Sequence, residues 1–261
     1  MLTVENRVIA ITRPENQAGA WKSALESAGF GVFLCPLLEI LPLSDSAQSA
    51  VRQALREFLS EKSAIIFVSP NAVRFALQIE SAQFWAAHFL LAVGAGTQKI
   101  LKENNLNAAI PSDSEDSEGL LKLIESQRDF PPKIAIIRGD HGREFLGDSL
   151  KEKGFCVQKF GVYTRKTCDA KTAQGLANKA LAGDIDGVLI TSSEALQAWI
   201  AQLKSPRLPA ALVKLPLFSI HPRISESAQR LGFENVVNLK NSKALVDFFG
   251  GDSNGEKKPQ G

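Results

Sequence analysis

Apolar residues along the chain fall into short runs separated by stretches where they recur every three or four positions. The runs read "RVIAITR", "AIIFVS", "FLLAVG", "KIAIIRG", "GVLITS", "LPLFSI" and "NVVNLK", and the stretches between them have helical period. Strands alternating with helices in this way predict an α/β fold, with parallel sheet covered by helices on both faces. The last segment, "GGDSNGEKKPQG" (250–261), offers no apolar residue to a core and predicts a disordered tail.

The pattern also repeats. "VIAITRPENQAGAWKSALESAGFGV" resembles "KIAIIRGDHGREFLGDSLKEKGFCV", which sets Arg13 opposite Arg138 and Gly29 opposite Gly154, about 125 residues apart. At nearly the same separation "IIFVSPNAVRFAL" matches "GVLITSSEALQAWI", "LLAVGAGTQKILKENNL" matches "LFSIHPRISESAQRLGF", and "SEGLLKLIE" matches "NSKALVDFF". The chain therefore reads as two copies of one α/β unit. One element departs from a simple tandem array. "GVFLCPLLEILPL" (31–43) and its counterpart "FCVQKFGVYTRKT" (155–167) are each about twice the usual strand length of roughly 5–6 residues. Strands that long can leave one sheet and enter another. The expected domains are then interleaved: residues 1–38 plus 165–249 form the first, 39–164 the second, with a ligand cleft between them.

In open parallel sheets, ligands bind beyond the carboxyl ends of the strands, where loops enter helix N-termini. The six such turns hold the candidate binding residues: Thr12 and Arg13; Ser69, Pro70 and Asn71; Gly94 and Ala95; Arg138, Gly139 and Arg143; Ser192 and Ser193; Pro222 and Arg223. Exposed amides at helix N-termini favour carboxylates or phosphates, and arginine adds bidentate recognition. The same Ser, Asn and Pro residues are also ordinary caps and first-turn residues. The anion reading therefore rests on the arginines and on the sixfold repetition.

Composition narrows the ligand class. A net charge of +2 and a pI of about 8.4 over 261 residues argue against bulk nucleic-acid binding. Three cysteines without CxxC spacing and three histidines give no zinc pattern, and unpaired thiols point to a reducing cytoplasm. No apolar run reaches the roughly 18 residues that a membrane span requires, and charges at Glu5 and Arg7 leave no signal-peptide core. "GAGTQK" carries Lys99 at the third glycine position of a dinucleotide fingerprint, and no GxxxxGK[ST], GxSxG or HExxH motif occurs. The acidic run "SDSEDSE" (112–118) reads as a solvated helix start. Tyr163 is the only tyrosine beside fifteen phenylalanines. It is either a packed ring with its hydroxyl at the surface or a neutral phenol placed to donate a hydrogen bond to a leaving oxygen.

Taken in order, "ITRPENQA", "LCPLLEI", "FVSPNAV", "AVGAGT", "SEGLL", "IIRGDHGRE", "VYTRK", "ITSSEAL" and "HPRISESAQRLGF" resemble the uroporphyrinogen-III synthase family over nearly all of 1–249. The resemblance implies two similar flavodoxin-like domains joined by a two-stranded linker ladder, with the active site in the cleft. It implies a cofactor-free, metal-free lyase of haem biosynthesis. Such an enzyme cyclises hydroxymethylbilane, a linear tetrapyrrole with eight carboxylates, to uroporphyrinogen III with loss of water and inversion of ring D. It implies a cytoplasmic monomer that takes its small-molecule substrate by transient handover from hydroxymethylbilane synthase, with no nucleic-acid or membrane partner. Tyr163 falls at the family's tyrosine proposed to assist departure of the hydroxyl group. The last turn departs from the family, with His221 where many members have glycine and Arg223 and Ile224 where others have threonines. The rival reading is a non-catalytic two-domain binding protein for an anionic tetrapyrrole or similar polycarboxylate, which gives the phenol no role.

Overall fold

In the computed structural model, residues 7–59, 62–112, 114–142, 144–204 and 208–250 are described. The chain opens with β1 (Val8–Ile11), α1 (Glu15–Ser27) and β2 (Gly31–Leu34), then passes through Cys35, Pro36 and Leu37 into β3 (Leu38–Pro42). There follow α2 (Asp45–Phe58), β4 (Ser63–Phe67), α3 (Pro70–Ile79), the short α4 (Ala82–Ala86), β5 (Phe89–Ala92) and α5 (Ala95–Glu103). Next come α6 (Ser117–Glu125), β6 (Lys133–Gly139), α7 (Phe145–Glu152) and the twelve-residue β7 (Cys156–Thr167). The remainder is α8 (Ala170–Ala182), β8 (Gly187–Ile190), α9 (Ser193–Leu203), α10 (Ala210–Lys214), β9 (Leu217–Ser219), α11 (Pro222–Arg230), β10 (Val236–Asn238) and α12 (Ser242–Gly250).

Two compact units result: one runs to Glu39 and resumes at Lys166, the other is Ile40–Arg165. The first holds a five-stranded sheet in the order β10-β9-β8-β1-β2, with parallel pairing throughout. Counted along this unit, that is the 2-1-3-4-5 order of a doubly wound flavodoxin-like sheet. The second sheet runs β3-β7-β6-β4-β5, with β7, β6, β4 and β5 parallel. Matching the repeat, β6 stands for β1, β7 for β2, β4 for β8 and β5 for β9. A lone parallel bridge between Leu91 and Ala109 occupies the place of β10. Both units therefore carry one arrangement of strands, visited by the chain in a permuted order in the second, where β3 is an extra strand on the β7 edge.

The two long segments behave differently. β7 is continuous, whereas 31–43 is broken into β2 and β3, which belong to different sheets. Pro36 lies at the break; the N–H groups of Cys35 and Leu37 on either side of it still donate to the Ile11 and Thr12 carbonyls, and the chain leaves the first sheet just beyond.

Each sheet buries near-continuous apolar strands, as parallel sheets covered on both faces must. All five residues of β4 are buried. On one face of the second sheet Ile65, Phe67, Ala135, Ile137, Phe160 and Val162 pack with Trp85, Val73 and Leu101. On the other, Ala64, Ile66, Ile134 and Ile136 pack with Leu120, Ile124 and Leu146. Of the tail expected at 250–261, Gly250 instead closes α12, and 251–261 lie outside the described residues.

Candidate active site

The second unit builds its site where β6 and β7 end side by side. Their register slips at that point: Arg138 faces Gly161, Gly139 faces Tyr163, and Val162 has no counterpart. Such a bulge re-aims the side chains that follow it. Strict alternation would set Tyr163 on the face opposite Phe160 and Val162; instead all three share one core cluster. The Tyr163 ring is 1% exposed and lies 5.4 Å from that of Phe75, tilted by 32°. Gly139 makes room for it, because a Cβ there would sit 2.7 Å from Cε2 and 2.8 Å from Cζ of the ring. The Asp140 N–H donates to the Tyr163 carbonyl at 2.9 Å and holds the bulge closed.

Around the tyrosine is a pocket of about 220 Å³ whose wall includes Ser69, Arg138, Gly139, His141, Lys159, Tyr163 and Arg165. That is below the roughly 300–1,000 Å³ of pockets that take an entire drug-sized ligand, so it suits one part of a larger molecule. Three cationic side chains line it. Arg165 donates from Nη2 to the phenol oxygen at 3.2 Å and from Nη1 to the His141 carbonyl at 3.1 Å. A guanidinium is donor only, so the Tyr163 oxygen must accept, and its own proton is left to point at another acceptor. Arg138 is 7% exposed and donates to Glu144 Oε1 at 3.0 Å. Lys159 pairs with the other Glu144 oxygen and lies 3.5 Å from Asp148. Hydrogen bonds from Lys159 and then Arg138 hold the Glu144 carboxyl below the usual carboxylate range.

Of the other candidates in this unit, Ser69 caps α3 by accepting from the Ala72 N–H at 3.1 Å, with Pro70 in the first turn. The Asn71 side chain accepts from Arg74. Gly94 caps α5 through backbone alone, and the Ala95 N–H donates to Glu115 at 2.8 Å. That turn already holds a carboxylate of the protein's own, the ligand class read from the sequence. The acidic run serves α6, where Asp116 accepts from the Gly119 N–H. Arg143 lies outside the described residues.

In the first unit the candidates stand at the carboxyl ends of β1, β8 and β9. The buried Thr12 hydroxyl donates to the Leu189 carbonyl at 2.8 Å. Arg13 is half-buried, and burial pulls its guanidinium below the ordinary value. Among the described residues no carboxylate is within ion-pair distance of it. Ser192 caps α9 by accepting from the Ala195 N–H, and Ser193 opens the helix. His221 caps α11 through Nδ1, which accepts from the Arg223 N–H, with Pro222 following it.

Sequence reasoning missed Lys159, Arg165, His141 and Glu144. Lys159 and Arg165 flank Tyr163 on one strand, so a basic residue on each side of a lone phenol was the available signal. Glu144 gave none, since its role depends on how the loop after β6 folds back.

The uroporphyrinogen-III synthase HemD family matches residues 19–244. The uroporphyrinogen-III synthase of Salmonella typhimurium is 30% identical over 235 residues, covering 87% of this chain and 93% of that protein. That of Escherichia coli is 28% identical over 232 residues, covering 87% and 93%. A crystal structure of a mutant uroporphyrinogen III synthase from Thermus thermophilus superposes with a TM-score of 0.67 at 19% identity, over 94% of this chain and 97% of that one, a likeness of fold.

Proposed function

The chain belongs to the uroporphyrinogen-III synthase family, and from that premise we propose how its second unit carries out the reaction. The reaction is the family's: a lyase step in which hydroxymethylbilane, a small-molecule tetrapyrrole, loses water and closes to uroporphyrinogen III with ring D inverted. In the first step the bond from the hydroxymethyl carbon to its oxygen breaks. The electron pair leaves with the oxygen, and the ring A pyrrole nitrogen supplies electrons and sheds its proton, giving an azafulvene.

Tyr163 is placed to assist that departure. Arg165 occupies a lone pair of the phenol oxygen, so the phenolic proton turns toward the leaving hydroxyl. This single hydrogen bond carries the assignment. Arg138 and Lys159 line the same pocket and suit an acetate or propionate arm of the substrate. Arg13, Ser193, Pro222 and Arg223, with the amides of their turns, extend the same role to the other unit. The linear substrate also closes spontaneously to the uninverted isomer, so the protein's task is chiefly to hold a reactive species in one geometry.

No helix among the described residues is long and apolar enough to cross a membrane. We place the protein in the cytoplasm as a monomer supplied by hydroxymethylbilane synthase. Light scattering on the purified protein, alone and with that enzyme, checks the monomer and the handover, and cell fractionation checks the location. The activity itself is tested by generating hydroxymethylbilane in situ, adding the protein, oxidising the products and separating uroporphyrin I from III. Predominant isomer III is expected. Isomer I alone, at the spontaneous rate, would leave a binding protein with the fold but not the chemistry.

A further inference from the structure

The two halves of the repeat treat their equivalent arginines differently. Arg13 and Arg138 occupy matching positions at the ends of β1 and β6. Arg138 is met by Glu144, whereas the position matching Glu144 in the first unit is Gly19, where even a Cβ would meet nothing within 4 Å. The second unit has thus acquired a carboxylate that the shared topology does not require.

Its placement is that of a ligand. Glu144 spans two pocket cations, one oxygen on Arg138 and the other on Lys159, as a substrate carboxylate would. Both cations lie against glycine. A Cβ on Gly142 would come within 2.7 Å of Arg138 Nη2, and one on Gly147 would overlap the end of Lys159. Gly142 and Gly147 both line the pocket, so no side chain at either position screens these cations from a ligand. An arginine side chain only 9% exposed is costly without an anion beside it. Glu144 supplies one, yet its side chain is 60% exposed, where ion pairs are weak and readily exchanged.

We propose that Glu144 is a place-holder carboxylate. It keeps Arg138 and Lys159 paired and positioned in the absence of substrate, and an acetate or propionate arm of the tetrapyrrole displaces it on binding. This rests on the reading of the pocket as the substrate site. The place-holder competes with substrate, so it raises KM while keeping the cations ordered. A purely structural partner would do the opposite, because its loss would disorder Arg138 and weaken binding.

The test is Glu144→Gln, which keeps shape and removes charge. Glu144→Asp accompanies it, keeping the charge but withdrawing it from the pair, and thermal midpoints verify that both variants fold. KM for hydroxymethylbilane is expected to fall about two- to fivefold in the Gln variant and less in the Asp variant. The gap to the parent protein should narrow as salt rises. Adding Arg138→Ala should abolish the advantage. A KM that is unchanged or higher in the single variants overturns the proposal. Calorimetric titration with uroporphyrin III, a stable octacarboxylate, runs in parallel. If the parent protein makes no isomer III, the catalytic reading fails, and tighter uroporphyrin binding by Glu144→Gln would still support the place-holder. Equal or weaker binding would overturn it there too.

Discussion

At the scale of a residue, Tyr163 combines the two roles that the two ends of a phenol allow. Its ring is core material against Phe75, and its oxygen is a pocket group held by Arg165. Tyr163→Phe separates them, because the ring and its packing remain while the proton donor goes. Stability should fall by about 1 kcal/mol, the net worth of an ordinary hydrogen bond. The rate of isomer III formation should fall about a hundredfold or more, in the range lost with a positioned proton donor, with KM little changed. Chromatographic separation of the isomers reads the rate and thermal unfolding reads the stability. Turnover equal to the parent's would remove the phenol from the mechanism. The lone tyrosine could be singled out from sequence because nothing else in the chain offers its chemistry. Arg165 is legible only as a basic neighbour of that tyrosine; its bond to the phenol is not, since the pairing depends on the direction in which each side chain leaves a bulged strand.

Among the elements, the slip between β6 and β7 decides what the site contains. Sequence alternation reveals that both segments are strands, and the seven apolar runs all appear as strands in the two sheets. It does not reveal a bulge, because one unpaired residue leaves the apolar pattern of β7 nearly intact. The glycines are its trace: Gly139 faces Tyr163, and a Cβ on Gly161 would press within 3.3 Å of Asp140 Cα. Gly139→Ala tests this directly. The new methyl would meet a buried ring packed against Phe75 and force it to shift, so the cost should be about 1–3 kcal/mol, typical of overpacking. Isomer III formation should fall with it, since the ring carries the hydroxyl out of place. A fully active Gly139→Ala protein of parental stability would mean that the ring and the strand end are not so tightly joined. Turn residues were the ambiguous class at this scale. Ser69 and Ser192 serve as the caps their types allow, and the α5 turn nevertheless holds the carboxylate of Glu115.

In the whole molecule, internal duplication was the legible feature, because two copies of one topology leave matched motifs at constant separation. The break of the first long segment at Pro36 and the reduction of the last strand of the second unit to a single bridge at Ala109 were less legible, being small departures within well-formed patterns. The paths entering and leaving the first unit are marked by Cys35, just past β2, and Cys168, just past β7; both thiols are buried. The Cys35 N–H donates to the Ile11 carbonyl, and the Cys168 N–H to that of Leu37, so each thiol sits on backbone tied into this unit. Burial, with Cys168 adding to it, pushes the Cys35 thiol up to about 11, and burial also raises Cys168. Cys156 is exposed. With a chromogenic disulfide at pH 8, Cys156 should therefore react at once and the other two only on unfolding, since the thiolate is the reactive form. The sign for stability follows from the same shift. The folded chain keeps the Cys35 proton that the unfolded chain loses near pH 9, so stability is unaffected below that value and declines as pH climbs from about 9 toward 11. Cys35→Ala should flatten that decline in denaturant titrations run across the interval. If Cys35 or Cys168 instead labels as fast as Cys156 in the native protein, the strands that carry the chain between its two sheets open far more readily than their buried, hydrogen-bonded setting allows.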